Sequence, residues 1–169
     1  RGYGLSDDKK PAPKALMEDT QAAIAYLKSR KDTAAQKPLI LAQSLGGNNA
    51  IAAVAQGNMK EVAGIVLDST FYSYKTIASD KFPGAGLWVG DQYSASRFIG
   101  QLAPIPLFFM HGKRDSVIPW QHSQKLFERA GDPKRIRIVP HAEHLRALEY
   151  PVIRADVLDF FAQSLQEKP

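Results

Sequence analysis

Residues 40–53 read ILAQSLGGNNAIAA, an apolar run that halts at Gln43 and Ser44 and gives way to an alanine-rich helical pattern. The hydroxyl at the join admits two readings. Ser44 can cap the helix, because a helix start leaves backbone N–H groups without partners and a serine oxygen accepts from them. Alternatively a strand turns tightly into the helix at Ser44 and lifts its oxygen clear of the sheet as a nucleophile, with small neighbours preventing a clash. The stretch Ala42-Gln43-Ser44-Leu45-Gly46 differs from the G-x-S-x-G form of such an elbow by an alanine at its first position. On these residues alone both readings stand.

The flanking sequence supplies strand, turn and helix in the order an elbow needs. Residues 38–43 form a continuous apolar run of strand length, and 45–56 read as a helix ended near Gly57. Further buried strands are expected at 62–70, 105–112 and 135–140. Ahead of them, Leu16, Met17, Ala23, Ile24 and Leu27 recur at helical spacing behind Pro13. A helix over 120–130 opens at Pro119 and closes at Gly131, and 152–166 place Ile153, Val157, Phe160, Phe161 and Ser164 on one face. Strands alternating with helices predict an α/β fold, with a mostly parallel sheet flanked by helices on both faces.

Chemistry in such sheets gathers in the loops that leave the carboxyl ends of the strands. Asp115 lies just past the strand ending in FFMHG, and His144 just past the one ending in IVP. The three side-chain types belong together. A serine hydroxyl needs an imidazole to take its proton, and the imidazole needs a carboxylate to set its tautomer and stabilise its cation. Their chain order, Ser44, Asp115, His144, is the one that accompanies an elbow serine. Asp68, at the end of the 62–70 strand, is a rival acid, and His141 a rival base. His111 reads as a residue shaping the loop that presents Asp115, His122 as a helix-surface residue, and Asp7 and Asp8 as turn residues.

Composition sets the frame for this chemistry. A chain of 169 residues suits one domain spanning 1–169, and 44% hydrophobic with 23% charged residues suits a globular protein. Its apolar runs are too short to cross a bilayer as helices. The net charge of +5 is scattered, its densest groups being KSRK (28–31) and KRIR (134–137), so a solvated surface is expected and no nucleic-acid partner. Cysteine is absent, which removes disulfides, thiol nucleophiles and cysteine-bound metals. His141-Ala142-Glu143 matches half of a zinc-deaminase signature whose other half needs cysteines, so no metal is expected.

Taken together, RGYGLSD (1–7), AQSLGG (42–47), GIVLDSTF (64–71), PLFFMHGKRDSVIPWQHSQKLF (106–127) and VPHAEH (139–144) resemble the α/β-hydrolase family, in its prolyl-oligopeptidase-like and serine-aminopeptidase-like branch. The resemblance covers nearly the whole chain. It implies Ser44 as nucleophile, Asp115 as acid, His144 as base and the Leu45 N–H as an oxyanion donor, with no cofactor. It also implies that RGYGLSD follows the fourth strand of the family's sheet, so the N-terminal strands are expected to be missing. Any signal peptide or anchor would lie upstream, and the compartment stays open.

Residues 71–103 concentrate Phe71, Tyr72, Tyr74, Phe82, Trp88, Tyr93 and Phe98 among glycines, which suggests a short cap or pocket wall including Phe71 and Trp88. Plain packing on the sheet is the alternative. The expected function is a serine hydrolase acting on a small-molecule or peptide acyl substrate, an ester, thioester or amide. An aminopeptidase-like peptidase shares every residue named, and a non-catalytic scaffold is the remaining reading. The chain is further expected to form a homo-oligomer or to associate with the missing N-terminal portion.

Overall fold

Four of the apolar runs become parallel strands in the computed structural model, which describes residues 1–59 and 61–166. These are β1 (Leu39–Gln43), β2 (Gly64–Asp68), β3 (Leu107–Gly112) and β4 (Lys134–Val139). They lie side by side in chain order. The ladder is shorter than the apolar runs. At the start of β3, for example, Pro106 has no N–H to give and contributes only its carbonyl, which accepts from Ile65.

Sequential order has a geometric consequence. Parallel crossovers are right-handed, so stepping across the sheet in one direction stacks the connections on one face. The helices α1 (Pro13–Ser29), α2 (Leu45–Gln56), α4 (Ala95–Phe98) and α5 (Gln121–Arg129) pack there, against Ile65, Leu67, Leu107 and Phe109. The alternate residues Val66, Phe108 and Met110 face the other way, onto Ile153, Val157 and Phe160 of α6 (Pro151–Gln166). That period-two split is what a strand buried on both faces requires.

Residues 71–103 are more helical than their composition suggests. Ser73 and Thr76 form a reciprocal capping box that starts α3 (Tyr74–Lys81), followed by a 3-10 turn over Ala85–Trp88, then α4 and a second 3-10 turn over Ile99–Gln101. The segment is clipped down by two buried side chains. Asn48 of α2 donates to the Phe71 carbonyl at 2.7 Å and accepts from the Ala95 N–H at 2.8 Å. His122 is the second clip, and it corrects the surface position expected for it. It is only 4% exposed, because it shares the inner face of α5 with Leu126. Its Nδ1 accepts from the Tyr72 N–H at 2.9 Å, so its Nε2–H is left to donate to Asp80 of α3.

The two basic groups are engaged within the chain. Lys134 donates to the last carbonyls of α5, Arg135 lies over the rings of Phe108 and Phe160, and Arg137 pairs with Asp156. Lys28 pairs with Glu61 and Arg30 with Asp32. No helix of the described residues is long and apolar enough to cross a membrane.

Candidate active site

The backbone at Ser44 separates the two readings of the opening stretch. Its N–H donates to the Asp68 carbonyl at 2.8 Å, extending the β1–β2 ladder, while its own carbonyl already accepts from the Gly47 N–H at 3.1 Å. One residue must therefore end a strand and begin a helix. It does so at φ 51° and ψ −121°, a sparsely populated combination for a residue with a Cβ. A capping serine takes an extended conformation and accepts from the helix. Ser44 does neither, since its side chain makes no cap hydrogen bond. The elbow geometry is present and the plain cap is not.

Its small neighbours act at particular positions. A Cβ on Gly47 would sit 1.9 Å from Thr70 Oγ1, whereas one on Gly46 would meet nothing within 4 Å. The close approach of α2 to the loop after β2 thus rests on Gly47, not on the glycine that completes G-x-S-x-G. Ala42 is buried in the sheet. The Leu45 N–H, first of α2, donates to no backbone acceptor among the described residues.

Asp115 stands in the loop after β3, and all four of its acceptor positions are used. Oδ1 accepts from the N–H groups of Val117 and Ile118, each at 2.8 Å. Oδ2 accepts from His144 Nδ1 at 2.7 Å and from His111 Nε2 at 3.0 Å. Burial pushes this carboxyl up, but the hydrogen bonds from His111, Ile118 and His144 together outweigh burial and hold it well below the usual carboxylate range. With Nδ1 committed to the acid, Nε2 is the nitrogen of His144 left for proton transfer.

Two loops must meet for that pair to form. The Lys113 N–H donates to the Val139 carbonyl at 2.9 Å and the Arg114 N–H to the Ala142 carbonyl at 3.0 Å, joining the loop after β3 to the loop after β4. A Cβ at Gly112 would fall 2.3 Å from the Ala142 carbonyl oxygen, so the join needs glycine there. The dipeptide His111-Gly112 accordingly has two separate duties: one side chain grips Asp115 and one missing side chain admits the loop of His144.

Ser44, Asp115 and His144 all stand at the carboxyl ends of parallel strands. Among the described residues a hydrogen bond joins His144 to Asp115, and none joins Ser44 Oγ to His144. Neither rival residue is hydrogen-bonded to the Asp115–His144 pair among the described residues. Asp68 is fully buried, its carboxylate accepting from Gln43 Nε2 at 3.0 Å and from Ser69 Oγ at 3.1 Å, and burial pushes it up. His141 is exposed beside Glu143 and Arg146.

The aromatic segment forms a groove of about 470 Å³ with the start of α1, lined by Pro13, Tyr74, Trp88 and Tyr93 among others. Trp88 is 90% exposed there. Burial pushes the Tyr74 hydroxyl up to about 12. Phe71 does not line this groove; it is buried, edge-on to Tyr74 with ring centroids 5.1 Å apart. A larger cavity, about 550 Å³, lies at the opposite end of the sheet between Leu27, Pro38, Leu39 and Leu165.

A parallel sheet with an elbow serine after one strand, and an acid and a histidine in the loops after later ones, is the α/β-hydrolase fold. The comparisons bear this out. The chain belongs to the prolyl oligopeptidase family, whose sequence profile matches residues 9–168. It is 40% identical over 168 residues to the uncharacterized protein YfhR of Escherichia coli O157:H7, covering 98% of this chain and 59% of that protein. The chain thus spans about three fifths of the length of this relative. Among solved structures, the esterase Pf2001 of Pyrococcus furiosus superposes with a TM-score of 0.78 at 20% identity, over 98% of this chain and 68% of that one. The α/β hydrolase GrgF from Penicillium sp. sh18 gives 0.74 at 16% identity, over 99% and 78%.

Proposed function

We propose that Ser44, His144 and Asp115 are the catalytic set of a serine hydrolase that cleaves an ester, thioester or amide through an acyl-enzyme, without a cofactor. His144 Nε2 takes the proton of Ser44 as its oxygen attacks the acyl carbon, then returns it to the leaving group; a water repeats the sequence and frees the acid. Asp115 holds the imidazole by Nδ1 and balances its transient charge. The Leu45 N–H meets the oxyanion. In this fold a second donor comes from the loop after the third strand of the full sheet.

The observation that carries this reading is the backbone of Ser44, whose φ of 51° is a strain that an ordinary cap has no use for. The groove at Trp88 and Tyr74 is lined by neither Ser44 nor His144, so it does not bear on the choice of acyl group. A fluorophosphonate probe, which reacts readily only with an activated serine, tests the assignment. In the full-length protein the label should map to Ser44 and vanish in Ser44→Ala; label on Ser69, Ser73 or no serine overturns it. Faster turnover of short p-nitrophenyl esters than of aminoacyl amides would mark an esterase, and the reverse an exopeptidase. Indifference to both would favour a scaffold.

A further inference from the structure

His111 is fully buried, yet both its ring nitrogens are occupied. Nε2 faces two groups that can only accept, Asp115 Oδ2 at 3.0 Å and the Ile118 carbonyl at 2.9 Å, so it carries the proton. Nδ1 lies 2.7 Å from Ser123 Oγ on α5 and accepts from that hydroxyl when the ring is neutral. The network therefore fixes one tautomer and aims its N–H at the same carboxylate oxygen that holds His144.

From this shared oxygen we infer that His111 is a positioning residue which sets the pH at which His144 becomes a competent base. The inference rests on the proposal that His144 is the base. A second donor on Oδ2 draws off part of the negative charge that would otherwise stabilise the His144 imidazolium. His144 then gives up its proton at lower pH than it would beside an Asp115 bound by backbone N–H groups alone. Other titratable groups act on these rings from neighbouring elements: Asp68 at the end of β2 feels both His111 and His144, and His122 on α5 feels His111. None of these is altered by the variants that follow.

Two substitutions separate the roles of the ring. Glutamine places an amide N–H where Nε2 was and keeps a donor for Asp115; asparagine is shorter, keeps reach to Ser123 and loses Asp115. The readout is the rate of fluorophosphonate labelling of Ser44 against pH in the full-length protein, with thermal melting to show that each variant is folded. In His111→Asn the acidic limb should move up by about half a pH unit, a roughly threefold loss at pH 6 relative to pH 9. His111→Gln should leave the limb where it was. An unmoved limb in His111→Asn, or an equal loss at every pH, means that His111 only packs and overturns the inference while the nucleophile assignment stands. Failure of the unsubstituted protein to label at Ser44 overturns both. Nitrogen NMR of the unsubstituted protein gives a reading that needs no variant: His111 should hold its proton on Nε2, and a ring protonated on Nδ1 alone overturns the inference.

Discussion

Asp115 and Asp68 show how two buried carboxylates of similar position come to differ. Asp115 follows a parallel strand and Asp68 ends one, and each side chain is cut off from water. Asp115 receives hydrogen bonds from two imidazoles and two backbone N–H groups, which favour its charged form; Asp68 receives an amide and a hydroxyl, which do not offset its burial. Of the two, it is Asp115 that is hydrogen-bonded to His144 and so placed to balance its imidazolium. Asp115→Asn should therefore lower turnover by something on the order of 10⁴ while the fold survives, as loss of this carboxylate does in other serine triads. Asp68→Asn should cost far less. Steady-state kinetics on a single ester decides, and the opposite ranking would transfer the acid's role to Asp68.

The elbow is a property of a strand and a helix joined with no spacer. Its constraint falls on Gly47, where α2 meets Thr70, and spares Gly46. Gly47→Ala must push Thr70 or the helix aside and should cost about 1–3 kcal/mol in chemical denaturation, the usual toll of overpacking. Gly46→Ala adds a methyl to open space on a helix and should be neutral or stabilising by up to about 1 kcal/mol. Equal destabilisation by the two would show that the close approach at Thr70 does not hold. The G-x-S-x-G spelling pointed to Gly46, because a motif records which residue is frequent and not which pair of elements touches.

The sheet has two edges of opposite character. β4 carries Lys134, Arg135 and Arg137, charges of the kind that discourage further pairing. β1 is Leu39-Ile40-Leu41-Ala42-Gln43, has one hydrogen-bonded neighbour among the described residues, and leaves Leu41 47% exposed. Beside it lies the 550 Å³ cavity lined by Leu27, Leu39 and Leu165. We propose that this edge pairs with a second copy or with an upstream portion of the kind that longer relatives possess. The 169-residue chain by itself should then be an oligomer or a complex. Light scattering with intact-mass spectrometry tests this: a clean monomer of 18.6 kDa would overturn it.

Periodicity in the chain was enough to set the α/β class, the parallel sheet, the helix faces and the candidate loops. Apolar runs of strand length and helical spacing are local records of what must be buried. The order Ser44, Asp115, His144 was legible for the same reason: each sits a fixed few residues from the end of a strand. Contacts between distant segments left no such record. His122 read as a surface residue because nothing near it in the chain foretells the Tyr72 N–H and Asp80 that it meets across α3. Folding alone put His111 and His144 on one oxygen of Asp115, and made Gly112 the gap through which the loop of His144 enters. The physical reason is that burial follows from local composition, while the partners of a buried polar group are set by which strands and loops the packing brings side by side.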